Sequence, residues 1–270
     1  MNPFSTNPDD YLILTSVEDN QYMCWQLELL IYSFTQMGRP SEERVEFCRV
    51  KPENICAVVH SEKDGLSKYF LNIVDTYGIK YIKTKNYGTT NIHPYFRENG
   101  IEHNFYKPKN KACSLGSVYS HGMYKDYKFT MLTDCDVFAY KFLNTLKFPT
   151  RRTSIAEHWL CDHPIIDYYP NDKFCNEGVN LLKLMESMHV PEQFIRQYVS
   201  GGCLMWVTRD DLSEQLVNSI SGYVELIRSV CHIIKQPGNW CVEMPAYALG
   251  MATCGIKAEL IHEPEFSDSN

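Results

Sequence analysis

Apolar residues along the chain gather in short β-branched runs separated by stretches where they recur every three or four positions. That alternation predicts strands and helices in turn, an α/β arrangement. Tyr11-Leu12-Ile13-Leu14 reads as a first strand that breaks into a polar loop from Thr15 to Asn20. From Gln21 to Met37 the spacing of Met23, Leu27, Leu30, Ile31 and Phe34 predicts a helix, which Gly38-Arg39-Pro40 stops. Ile55 to Val59 predicts a second strand. The loop His60 to Leu66 follows, then a helix to about Tyr77 that Gly78 closes, and Ile79 to Ile82 reads as a third strand. Residues 86–104 are irregular and rich in aromatics, and Lys109 to Leu115 opens another helix. Beyond Val137 the pattern loosens, from Arg151 to about Tyr169, before a helical stretch from Val179 to His189. Val199 to Val207 reads as a further buried strand, with Thr208 and Asp210 as candidate caps for a helix beginning near Leu212. A small-residue helix near Glu243 to Gly250 and a strand from Ile256 to Ile261 complete the series.

The run Lys128 to Phe138 carries the most chemistry. Its apolar residues lead into Asp134-Cys135-Asp136, so a buried strand delivers two carboxylates to the rim of a sheet. Mg²⁺ and Mn²⁺ take few oxygen ligands from protein and the rest from water and phosphates, which suits such a pair. At the end of a parallel strand the pair faces the crevice where α/β sheets bind ligands. The bland alternative is a pair of carboxylates that only solvates a strand end. Lys111 lies in the first turn of the preceding helix, within reach of a diphosphate or simply on a solvated face. Gly201 and Gly202 admit close approach of a ligand to backbone, and equally serve a tight turn or bulge. Glu243 stands at the head of its helix, where the helix dipole alone favours a carboxylate. His158 and His163 each sit beside a single carboxylate, short of a metal cluster, in a segment whose polar and aromatic composition suits acceptor binding.

Composition narrows the classes. A chain of 270 residues with 44% apolar content can bury the core of one large domain. A formal charge of -7, a pI near 5.7 and no basic block argue against a nucleic-acid or membrane-surface binder. Eleven cysteines, odd in number and without zinc spacing, read as free thiols in a reducing compartment. The start, Met1 to Asp10, has no signal-peptide pattern, and no window approaches the roughly 20 apolar residues of a membrane span. The expectation is a soluble, cytoplasmic protein. Gly-x-Gly-x-x-Gly and Walker signatures are absent, which argues against dinucleotide and P-loop sites.

In chain order, Asp134 and Asp136, the glycine pair Gly201-Gly202, Glu243 on a late helix and the C-terminal His262 resemble the shared elements of metal-dependent, nucleotide-sugar glycosyltransferases of the GT-A type. More narrowly, Tyr22 to Gln26, His60-Ser61 with Asp64-Gly65-Leu66, the strand into Asp134, and Trp240-x-x-Glu243-Met244-x-Ala246-Tyr247 look like the hydroxyproline O-arabinosyltransferase and peptidyl-serine galactosyltransferase group. Residues 151–199 depart from that group, no stretch of residues 1–270 reads as its membrane anchor, and Met244 stands where many inverting relatives carry a catalytic Asp. The resemblance implies one GT-A domain over 1–270, Rossmann-like, with a mixed, mostly parallel sheet flanked by helices. Residues 1–140 would form its nucleotide-binding half and 141–270 its acceptor-binding half.

It also implies transfer of a sugar, such as xylose, arabinose or galactose, from a UDP-sugar to a hydroxyl of a glycan or glycoprotein. The base and ribose would lie against Thr15, Ser16, Val17, Asp19 and the His60 loop, with Gly201 and Gly202 near the sugar. Mn²⁺ or Mg²⁺ would join Asp136, His262 and the phosphates, with Asp134 on the ribose or a metal-bound water, and Lys111 would add positive charge. Glu243 is the first candidate for the catalytic carboxylate, with Asp162 and Asp210 behind it. Two other classes fit the same residues: a non-catalytic sugar-nucleotide or glycan-binding module, and a metal-dependent nucleotidyltransferase.

Overall fold

A computed structural model describes residues 4–5, 8–35, 50–87, 108–136, 148–149, 152–157, 201–233 and 243–261. The first strand, β1 (Tyr11–Glu18), is longer than its apolar start suggests. Thr15, Ser16 and Val17, expected in a loop, continue it, because both faces of this strand are covered and Val17 and the β-branched Thr15 pack inside. Only Asp19 and Asn20 remain as the turn. Asn20 then caps α1 (Gln21–Thr35): its side-chain oxygen accepts from the Met23 amide at 2.9 Å.

β2 (Ile55–His60) leads to α2 (Lys68–Tyr77), capped by Ser67 and closed by Gly78 at φ 71°, a left-handed conformation that glycine adopts without strain. β3 (Lys80–Thr84) follows. α3 (Pro108–His121) starts on a proline, whose missing N–H costs nothing in a first turn, and precedes β4 (Phe129–Thr133). β5 (Ser154–Glu157) lies in the segment whose pattern looked loose. β6 (Gly201–Thr208) runs into α4 (Glu214–Ile233), and α5 (Glu243–Thr253) and β7 (Glu259–Ile261) close the chain of described elements. The cap of α4 is Ser213, which accepts from the Leu216 amide, rather than Thr208 or Asp210; Thr208 instead donates to Asp211. The helix expected over 179–189 lies outside the described residues.

Seven strands form one mixed sheet in the order β3-β2-β1-β4-β6-β5-β7. β6 runs against both of its neighbours, and the other contacts are parallel. Side chains alternate across the sheet, so the central strands β2, β1, β4 and β6 feed two cores. Tyr11, Ile13, Val17, Phe129 and Met131 pack under α1 and α2. Leu12, Leu14, Val58 and Leu132 pack under α3, α4 and α5. A two-residue ribbon pairs Phe4–Ser5 with Phe148–Pro149. Among the described residues no helix is long and apolar enough to cross a membrane.

Candidate functional site

The strand order reverses between β1 and β4: β2 and β3 extend one way from β1, and β6, β5 and β7 the other way from β4. Loops leaving the carboxyl ends of two such strands splay to opposite faces and leave a crevice between them. Register places Thr15 opposite Thr133, so Glu18 and the Asp134-Cys135-Asp136 turn both leave the sheet at this crevice. Because β6 is antiparallel to β4, its first residues, Gly201 and Gly202, come level with the same rim.

Alternation decides where each member of the turn goes. Leu132 faces α3, so Asp134 faces it too, and its carboxylate lies 2.8 Å from Lys111 Nζ. Cys135 turns to the opposite face, where its thiol donates to Gln26 Oε1 of α1 at 3.3 Å; burial first, and then the Asp136 and Asp134 charges, push that thiol up to about 12. Asp136 is exposed at the rim. Crowding by surrounding protein and then the neighbouring Asp134 charge raise its carboxyl above the ordinary range, while a hydrogen bond from its own backbone and then Lys111 pull the other way.

Lys111 itself is buried, not on a solvated face. On its other side, 4.0 Å away, stands Glu243 Oε1 at the start of α5, also buried. One turn along α5, Tyr247 Oη is buried without a hydrogen-bond partner among the described residues. Burial holds its hydroxyl well above its ordinary pKa; Lys111 opposes that shift, and Glu243 and Asp134 add to it. The result is a buried ammonium between two carboxylates beside a phenol, drawn from α3, β4 and α5. Residue spacing signals Tyr247, four positions after Glu243 on one helix face and within the same Trp240 to Tyr247 motif, although only Glu243 was expected to carry a role. Glu18 extends the polar rim on the β1 side, with Asn110 buried behind it: Asn110 Nδ2 reaches Glu18 at 3.4 Å and Asn86 at 2.9 Å. Beneath them Lys109 pairs with Glu225 of α4, both drawn from the helical layer.

Several expected ligand contacts are committed elsewhere. Asp19 accepts from the Ser67 amide at 2.8 Å and the Ser67 hydroxyl at 2.5 Å, which fixes the start of α2. Thr15 and Val17 are wholly covered inside the sheet and Ser16 nearly so, which moves the open edge of β1 to Glu18 and beyond. His60 is buried, with Nδ1 3.1 Å from the Lys85 carbonyl and Nε2 3.0 Å from Ser114 Oγ. Desolvation lowers its pKa to about 4, against a small opposing effect of the Lys85 carbonyl. Asp210 is at the wrong end of the sheet: Thr208 pairs with Phe129, the first residue of β4, so Asp210 emerges on the rim opposite Asp134. There it is almost fully exposed beside Arg209. Asp162 and His262 lie outside the described residues, as do His158 and His163.

Two carboxylates one residue apart, one exposed and destabilised as an anion, suit a hard divalent cation that completes its shell with water and phosphate oxygens. Among the described residues no group of three His, Cys, Asp or Glu side chains is arranged to hold a metal by itself. Any cation here therefore depends on further oxygens or on residues beyond those described. No protein-family model matches the chain, and no curated protein matches it significantly.

Proposed function

We propose that this protein is a metal-dependent glycosyltransferase of the GT-A kind, moving a sugar from a UDP-sugar to a hydroxyl of a glycan or glycoprotein. The observation that carries the reading is the position of Asp134 and Asp136 at the strand-order reversal, above a buried lysine. A mixed, mostly parallel sheet flanked by helices is compatible with it. In this reading Asp136 and His262 hold Mn²⁺ or Mg²⁺, which neutralises charge on the departing nucleoside diphosphate. Joining them requires the chain beyond Ile261 to return across the rim, since β7 lies three strands, about 14 Å, from β4.

The chain's own residues then divide the work. Asp136 presents an exposed carboxylate, Gly201 and Gly202 admit the donor close to backbone, and the half-buried Glu18 offers a carboxylate toward ribose or sugar hydroxyls. Glu243, buried 4.0 Å from Lys111, balances that lysine's charge at the start of α5. Donor identity is best sought by thermal-shift screening of UDP-xylose, UDP-arabinose and UDP-galactose with Mn²⁺.

Asp136→Ala is the decisive variant. Its side chain is exposed, so the fold and Tm are expected to persist within a few degrees, while Mn²⁺-dependent hydrolysis or transfer of the UDP-sugar is lost. Undiminished turnover in Asp136→Ala would remove the metal role. UDP binding with no donor turnover would leave a binding module, and a larger thermal shift from a nucleoside triphosphate than from UDP would point to nucleotidyl transfer.

A further inference from the structure

The two carboxylates of the Asp-Cys-Asp turn are not equivalent. Asp136 reaches solvent, whereas Asp134 is drawn to the α3 face by Lys111 at 2.8 Å. The Lys111 and Glu243 side chains are only 6% and 7% exposed, so this ammonium cannot swing out to a ligand without uncovering Glu243. A buried ammonium needs compensating charge, and Asp134 and Glu243 supply it from different elements. A diphosphate would have to compete for a cation that two carboxylates already surround.

The geometry points to Lys111 as a positioning residue: pinned by Glu243, it anchors Asp134, so that the turn presents Asp136 in one fixed orientation. Lys111 therefore acts through Asp134 and not by contact with phosphate, and Glu243 acts as the counter-charge that keeps Lys111 in place. The assignment rests on the glycosyltransferase reading for its catalytic meaning, but the anchor itself does not depend on it. Cys135 on the opposite face, bonded to Gln26, holds the middle of the same turn. The turn is thus gripped from both sides of the sheet, and its last residue faces solvent.

Lys111→Met alone leaves the Glu243 carboxylate buried without its cation, and that variant is expected to be strongly destabilised. The double variant Lys111→Met/Glu243→Gln removes both charges, so its Tm is expected to return close to that of the wild type. Its Asp134 remains unanchored. With Mn²⁺ and the UDP-sugar, kcat is expected to stay down about 100-fold, with the KM for donor within about threefold, as for loss of alignment rather than of binding. Recovery of kcat together with Tm would show that Lys111 only supports the fold and would overturn the assignment.

Amide hydrogen exchange of residues 129–136, measured without ion or nucleotide, reads the anchor separately. Exchange at Asp134, Cys135 and Asp136 is expected to be at least tenfold faster in the double variant than in the wild type at matched Tm. Unchanged exchange overturns the anchor. Faster exchange in a protein that turns over no UDP-sugar keeps the anchor and defeats only the glycosyltransferase reading.

Discussion

At the scale of single residues, burial decides the protonation state of His60. A neutral ring protonated on Nδ1 donates to the Lys85 carbonyl and accepts the Ser114 hydroxyl at Nε2. A charged ring would find partners as well, donating to Ser114 while that hydroxyl donates to the Asn110 carbonyl at 2.8 Å. Hydrogen bonding permits either state, but desolvation favours the neutral one and lowers the pKa from 6.5 to about 4. In the unfolded chain the ring takes a proton below pH 6.5 that the folded protein refuses until about pH 4. Stability is therefore lost as pH falls through that window, by on the order of 3 kcal/mol from this residue. Urea unfolding of wild type and His60→Gln at pH 7, 5.5 and 4.5 checks this. The variant starts less stable but is expected to lose less on acidification, and parallel curves would remove His60 from the account. The same distinction limits what sequence shows of the candidate site. Lys109-Asn110-Lys111 resembles a solvated patch, yet Lys109 and Lys111 are buried because Glu225, Asp134 and Glu243 arrive from distant parts of the chain.

At the scale of elements, the contact between α4 and α5 sets a sharp steric limit. A Cβ at Gly250 would stand 2.6 Å from Ile220 Cγ1 and 3.1 Å from the Ile220 backbone nitrogen. Replacing a mid-helix glycine by alanine ordinarily gains about 0.5–1 kcal/mol. Here the neighbour includes backbone, which cannot step aside, so Gly250→Ala is expected to cost about 1–3 kcal/mol and to lower the Tm. A gain in stability would mean that the two helices separate easily. Helix propensity along α5 hides this, because only the packing partner makes the glycine necessary. Elements with a strong local pattern were legible: α1, α2, β2 and β4 follow from apolar spacing and from Gly78. β1 reads too short because its last four residues, Thr15 to Glu18, look like loop in isolation, and coverage on both faces makes them strand. β5 lacks any pattern of its own in Ser154-Ile155-Ala156-Glu157, and it exists as a strand through pairing with β6 on one side and β7 on the other.

At the scale of the whole molecule, one sheet joins the strands before residue 140 to those after it. β6 inserts directly beside β4, and β5 and β7 extend the same sheet. The α3 face of the first half is covered by the second: Leu115, Val118 and Leu132 share one core with Leu216, Ile220, Val224 and Tyr247. The pair of buried Lys109 with half-buried Glu225 spans the same division. Cutting the chain at residue 140 would expose that apolar face, leave β4 as an unpaired edge and strand Lys109 and Lys111 without their acidic partners on α4 and α5. Each of these costs a substantial part of the 5–15 kcal/mol that holds a typical domain together. A fragment of residues 1–140 is therefore expected to show no cooperative thermal transition and poorly dispersed amide resonances, although it contains the Asp-Cys-Asp turn. Mixing it with residues 141–270 should restore a single transition if the shared core is what folds both. A sharp melt from 1–140 alone would show instead that β1 to β4 with α1 to α3 form an autonomous unit, and that the second half is an addition to it.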